Sequence, residues 1–157
     1  MSLFHFTFSG KNYEQGLAHG EALKESIIKN IEIYVIRFEN EAGISKNELL
    51  ENSGIYLNIL REQSPEYVNG MNGIAESSNL ELLEIAMLNL RYELLYHALG
   101  KKLQSDAVDG CTSFAVIPEA AENNHLLMGQ NWDWITDVEC MLTTSIDPDG
   151  LQRMAFT

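Results

Sequence analysis

Cys111 stands after a glycine and before two hydroxyl residues, in Asp109-Gly110-Cys111-Thr112-Ser113. A cut between Gly110 and Cys111 would leave one residue carrying both a thiol and a free α-amine. That amine titrates near pH ~8, so it can take the thiol proton close to neutral pH. Cys111 is therefore a candidate nucleophile, and the bond before it a candidate processing junction. The route is chemically complete. The thiol attacks the Gly110 carbonyl carbon, the amide becomes a thioester, and water opens it. Gly110 admits backbone geometries closed to other residues, which a strained scissile peptide needs. Thr112 and Ser113 add hydroxyls beside the sulfur. On residue type alone a free cysteine beside an apolar strand is more often a buried structural thiol. The neighbours of Cys111 weaken that reading and leave the nucleophile open.

A second cluster follows, Gly129-Gln130-Asn131-Trp132-Asp133-Trp134. A hairpin between residues 112–117 and 125–130 would bring residues 131–133 beside Cys111, where the Asp133 carboxylate could orient the amine. Asp133 also reads as a solvated turn residue. Asn131 is a turn former whose amide could donate to an oxyanion. Trp132 and Trp134 suit packing better than substrate contact. Arg91 has two readings: a buried arginine tied to Glu84, or a group near the substrate. His19, between Gly16 and Gly20, suits helix packing better than catalysis. Cys140 opens an apolar segment and reads as core.

The elements that must position these groups are legible in outline. Residues 3–9 alternate as a short strand. Asn12, with Gln15 as its reciprocal partner, caps a helix whose stripe Ile27, Ile31, Tyr34 and Phe38 runs to Gly43. Ser45-x-x-Glu48 opens a second helix through about residue 61. Ser64-Pro65 opens a third. Ser78-x-x-Glu81 opens a fourth over residues 79–99, apolar round most of its circumference and ended by Gly100. Its polar residues form two stripes, Glu84 with Arg91, and Asn89, Glu93 and His97. Residues 101–109 make a polar connector. The pattern then turns strand-like, with residues 140–146 and 151–156 flanking the turn signal Asp147-Pro148-Asp149-Gly150. The expected order is one strand, four helices and a β-meander. The last sheet has an edge with nothing to cover it, so the chain reads as the front of a larger fold.

Composition narrows the function. The chain has 157 residues, 10 Lys and Arg against 23 Asp and Glu, and a net charge of −13. Such a chain lacks a basic patch for phosphates, so nucleic acid is excluded as an expected partner. No signal peptide and no run approaching the ~20 apolar residues of a membrane span appear. Two cysteines give no disulfide framework, which fits a reducing, cytoplasmic setting. No ligand spacing suggests a metal.

Asp-Gly-Cys-Thr-Ser followed by Gly-Gln-Asn-Trp-Asp-Trp resembles the isopenicillin-N acyltransferase family of autoproteolytic N-terminal-nucleophile enzymes, peptidase family C45. Gly16-x-x-His19-Gly20 and Asn89-x-Arg91-x-Glu93 are similar to weaker motifs of its pre-nucleophile segment. The resemblance spans this chain and the front portion of the longer family members. It implies Cys111 as nucleophile, Gly110, Cys111 and Ser113 at the processing site and Asp133 near the nucleophile; Asn131, Arg91 and Thr112 are candidates for a supporting role. The family's oxyanion asparagine and substrate-facing arginines fall beyond Thr157.

The implied fold is α+β, the front portion of an N-terminal-nucleophile αββα sandwich. Residues 1–110 would form the pre-nucleophile helical segment and residues 111–157 the start of the nucleophile sheet, two self-cleaved pieces able to stay associated. The implied function is acyl transfer from an amide or acyl-CoA donor to an amine or water through a Cys thioester, with no cofactor. Two alternatives stand beside it: a linear-amide hydrolase using water alone, and a truncated non-catalytic remnant or binding module.

Overall fold

In the computed structural model, which describes residues 4–99 and 111–156, a strand leads into a helical layer and further strands of the same length follow. Strand β1 (His5–Ser9) feeds helix α1 (Asn12–Ala42). The residue before the first turn is Lys11 rather than Asn12, because Glu14, not Gln15, closes that turn by accepting the Lys11 N–H at 2.8 Å. Gln15 is instead buried, and its amide donates to the Gly10 carbonyl at 2.7 Å. The stripe Ile27, Ile31, Tyr34 and Phe38 is buried as its spacing predicts. Gly43 ends the helix at φ +70°.

Helix α2 (Lys46–Gln63) starts where Ser45 accepts the Glu48 N–H at 3.3 Å, and α3 (Pro65–Ser78) starts at its proline. Helices α1 and α3 meet through glycines. A Cβ on Gly16 would lie 2.1 Å from the Gly70 carbonyl oxygen, and one on Gly73 would lie 2.3 Å from that of Tyr13. Only a hydrogen fits such an approach.

The single helix expected over residues 79–99 is two helices, α4 (Leu82–Asn89) and α5 (Arg91–Leu99). Ser78 does not open it. Its hydroxyl donates back to the Ile74 carbonyl at 2.6 Å, and Asn79 ends α3 in the left-handed region at φ 58°. The break falls at Leu90, with φ −100° and ψ 10°. Side chains satisfy carbonyls around it: Asn89 donates to the Ile85 carbonyl at 2.9 Å and Arg91 to that of Leu88 at 2.7 Å. Local side-chain donors of this kind compete with the helical ladder and make an interruption affordable. The predicted end at Gly100 lies outside the described residues, as does the connector 101–109.

The strands also differ from a simple meander. Strands β2 (Thr112–Val116) and β3 (Leu127–Asn131) pair antiparallel as a two-stranded sheet. Strands β4 (Leu142–Ile146) and β5 (Gln152–Phe156) form the second hairpin around the expected turn, where the Gly150 N–H donates to Asp147 at 2.9 Å. The far side of β4 carries β1, in parallel register from His5↔Leu142 to Ser9↔Ile146. Parallel neighbours need a long crossover, here the helical layer, so adjacency in sequence does not reveal this pairing.

The chain forms two compact units, one holding the helices with β1, β4 and β5, the other holding β2 and β3. The core of the first is helical, with Phe38, Leu49, Leu57, Ile85 and Met87 almost fully buried. The architecture is α+β. Among the described residues no helix is long and apolar enough to cross a membrane.

Candidate functional site

The hairpin β2–β3 carries most of the predicted site. Its register runs from Val116↔Leu127 to Thr112↔Asn131. Cys111 directly precedes Thr112, the first paired residue of β2, and Trp132 and Asp133 come directly after Asn131, the last paired residue of β3. The hairpin thus gathers Cys111, Thr112, Ser113, Asn131 and Asp133 at one end. Cys111 is exposed, as are Thr112, Ser113, Asn131 and Asp133. Trp132 and Trp134 stack with ring centroids 6.3 Å apart, which stiffens the segment that carries Asp133. Gly129 has a packing reason: a Cβ there would lie 2.4 Å from the Phe114 ring on the opposite strand. The ring lies across the bare backbone and pins the register. Gly110 lies outside the described residues.

The remaining predicted residues lie in the unit that contains the helices. Arg91 is not tied to Glu84. Glu84 pairs with Lys46 at 2.7 Å, while the Arg91 guanidinium sits 5.7 Å from the Tyr34 ring centroid and 5.1 Å from that of Tyr92. The guanidinium thus lies within cation–π distance of two aromatic rings. Cys140 is half-buried. Its Sγ lies 3.8 Å from the Val138 carbonyl, and burial pushes its thiol up, with Arg91 pulling the other way.

His19 lies against Phe8, rings stacked at 5.2 Å. Burial holds its imidazole below the ordinary range. The unfolded chain takes up that proton near pH ~6.5, the folded chain only at lower pH. The contribution to stability is therefore complete above about pH 6.5 and declines as pH falls below it. Replacing His19 with Gln should flatten the change in urea-unfolding midpoint between pH 7.5 and 5.5. An unchanged pH dependence would assign the acid sensitivity to other groups.

Two contacts have no signal in local sequence. Glu139 accepts from Ser26 and Lys29, both at 2.6 Å, and exchanges two bonds of 2.9 Å with the Asn30 amide. Lys29 and then Ser26 hold its carboxyl below the usual range. Gln15 reaches the Ile146 carbonyl and the Asp147 carboxylate, each at 3.2 Å. Together they fasten β4 and its turn to α1. Among the described residues no group of three His, Cys, Asp or Glu side chains is arranged to hold a metal ion.

No family model matches the chain. It is, however, similar in sequence to a curated acyltransferase. That relative is the acyl-coenzyme A:6-aminopenicillanic-acid-acyltransferase 40 kDa form of Emericella nidulans, 31% identical over 151 residues. The match covers 95% of this chain, and the chain spans 39% of the relative's length.

Proposed function

We propose that the chain is the front portion of an N-terminal-nucleophile cysteine acyltransferase or amidohydrolase of the αββα type. The observation that carries this reading is the similarity to a curated acyltransferase along nearly the whole chain. The hairpin register, which gathers Asn131 and Asp133 at the Cys111 end, is compatible with it.

The chemistry has two stages. In the first, the Cys111 sulfur attacks the Gly110 carbonyl carbon and the Cys111 nitrogen leaves as an amine. Water then hydrolyses the thioester, freeing the Gly110 carboxylate and the thiol. In the second, the new amine takes the thiol proton and the sulfur attacks an acyl carbonyl. The leaving amine or thiol departs with that proton. An amine or water then attacks the thioester and restores Cys111. The Asp133 carboxylate orients the amine by accepting its hydrogen bond, and Asn131 donates to the developing oxyanion. Amide or acyl-CoA donors and amine or water acceptors fit this scheme.

Intact mass and N-terminal sequencing of purified protein test it. The expected fragments have 110 and 47 residues, the second beginning Cys-Thr-Ser-Phe. They should co-elute on gel filtration, because the β1–β4 ladder and the Glu139 contacts join segments on opposite sides of the junction. An uncut chain with full activity would refute self-processing. An uncut, inactive chain would favour the binding-module reading. An acceptor amine that leaves the product unchanged would favour the hydrolase.

A further inference from the structure

The first unit contains a cavity of about 250 Å³ between the sheet β1–β4–β5 and the helices. One wall is a row across the sheet. Phe8 pairs with Ser145, and Ser145 with Arg153, so the three side chains stand side by side on one face. Opposite them are His19 from α1 and Met71 and Ile74 from α3. Among the described residues neither the ring nitrogens of His19 nor the Ser145 hydroxyl has a hydrogen-bond partner in the protein. Both residues are half-buried and these groups stay open to water, and a few convergent polar groups at the wall of a partly apolar pocket are what a ligand site offers.

The charge pattern names the ligand. The chain is strongly acidic, yet no Asp or Glu is among the described lining residues. Arg153 is their one ionised side chain, and it is the single Lys or Arg after Cys111. One guanidinium nitrogen meets Asp147 at 2.5 Å, and a guanidinium has five N–H donors in all. Asp147 occupies part of that fork, the remaining donors can take one carboxylate, and each further negative charge would go uncompensated, which favours a monoanion over a dianion. Phe8, Met71 and Ile74 suit an alkyl or aryl tail. The volume falls just below the ~300–1,000 Å³ of drug-sized sites, so the ligand is small.

We propose that this cavity binds a small apolar monocarboxylate, its carboxylate held by Arg153, Ser145 and His19 and its tail against Phe8, Met71 and Ile74. The site requires no chemistry at Cys111 and stands independently of the acyltransferase reading.

The test is a titration of the full chain, methyl-labelled at Met and Ile, with hexanoate and separately with hexan-1-ol. Hexanoate should move the Met71 and Ile74 methyl resonances saturably, with Kd on the order of 1 mM. Hexan-1-ol should bind about tenfold more weakly. Arg153→Gln should weaken hexanoate about tenfold and leave hexan-1-ol unchanged. Ser145→Ala, which removes one donor without touching the charge, should weaken hexanoate roughly fivefold. Unmoved resonances, equal affinity for acid and alcohol, or hexanoate affinity surviving both substitutions would each overturn the proposal.

Discussion

Cys111→Ala is expected to leave the chain uncut and to abolish acyl transfer, while Cys140→Ala is expected to leave both intact. The two thiols differ physically. Cys111 is exposed at the end of a strand. Cys140 is half-buried, and its burial disfavours the thiolate, which is the reactive form. Losing the Cys140 sulfur should cost about 1 kcal/mol of stability through packing alone. Losing the Cys111 sulfur would remove the proposed nucleophile of both stages, leaving no residual route through this site. Cys111→Ser should cut slowly, since a hydroxyl can make the same shift with a weaker nucleophile. Intact mass, a turnover assay and peptide mapping after alkylation read the outcome. Inactivation accompanied by modification of Cys140, with Cys111 unmodified, would reverse the assignment.

Asp133→Asn carries the second large effect. The substitution keeps shape and hydrogen bonding but removes charge. If the carboxylate orients the Cys111 amine, turnover of processed protein should fall about 10²–10⁴-fold, the range of acid–base roles. Stability should change by no more than about 0.5 kcal/mol, because Asp133 is exposed. Asp133→Ala should lose at least as much activity. The two readouts separate the site role from the turn role: a turn residue would shift the urea midpoint slightly and the rate hardly at all. Wild-type turnover from Asp133→Asn with normal processing would make Asp133 structural and remove the main support for the site at the hairpin end.

Much of the local structure was legible in residue order. Ser45 and Pro65 mark two helix starts, the stripe from Ile27 to Phe38 marks the buried face of α1, and Asp147 to Gly150 marks a hairpin turn. The β2–β3 hairpin, and with it the pairing of Thr112, the neighbour of Cys111, with Asn131, followed from two apolar runs around a polar turn. These signals succeed because caps, turns and amphipathic faces depend on groups a few residues apart. The same locality explains the failures. Ser78-x-x-Glu81 has the pattern of a cap, but the Ser78 hydroxyl is spent on the turn before it. The apolar run through residues 79–99 gives no sign of the break at Leu90.

Other features were decided by tertiary structure alone. They include β1 lying parallel to β4, Gln15 and Glu139 fastening that sheet to α1, and the row from Phe8 through Ser145 to Arg153. Each joins residues more than a hundred positions apart in at least one contact. No periodicity or spacing encodes such a partner, because the whole helical segment lies between these groups in the sequence. Residue types therefore pointed to the chemistry proposed at Cys111. Long-range packing decided where its one C-terminal cation, Arg153, would stand.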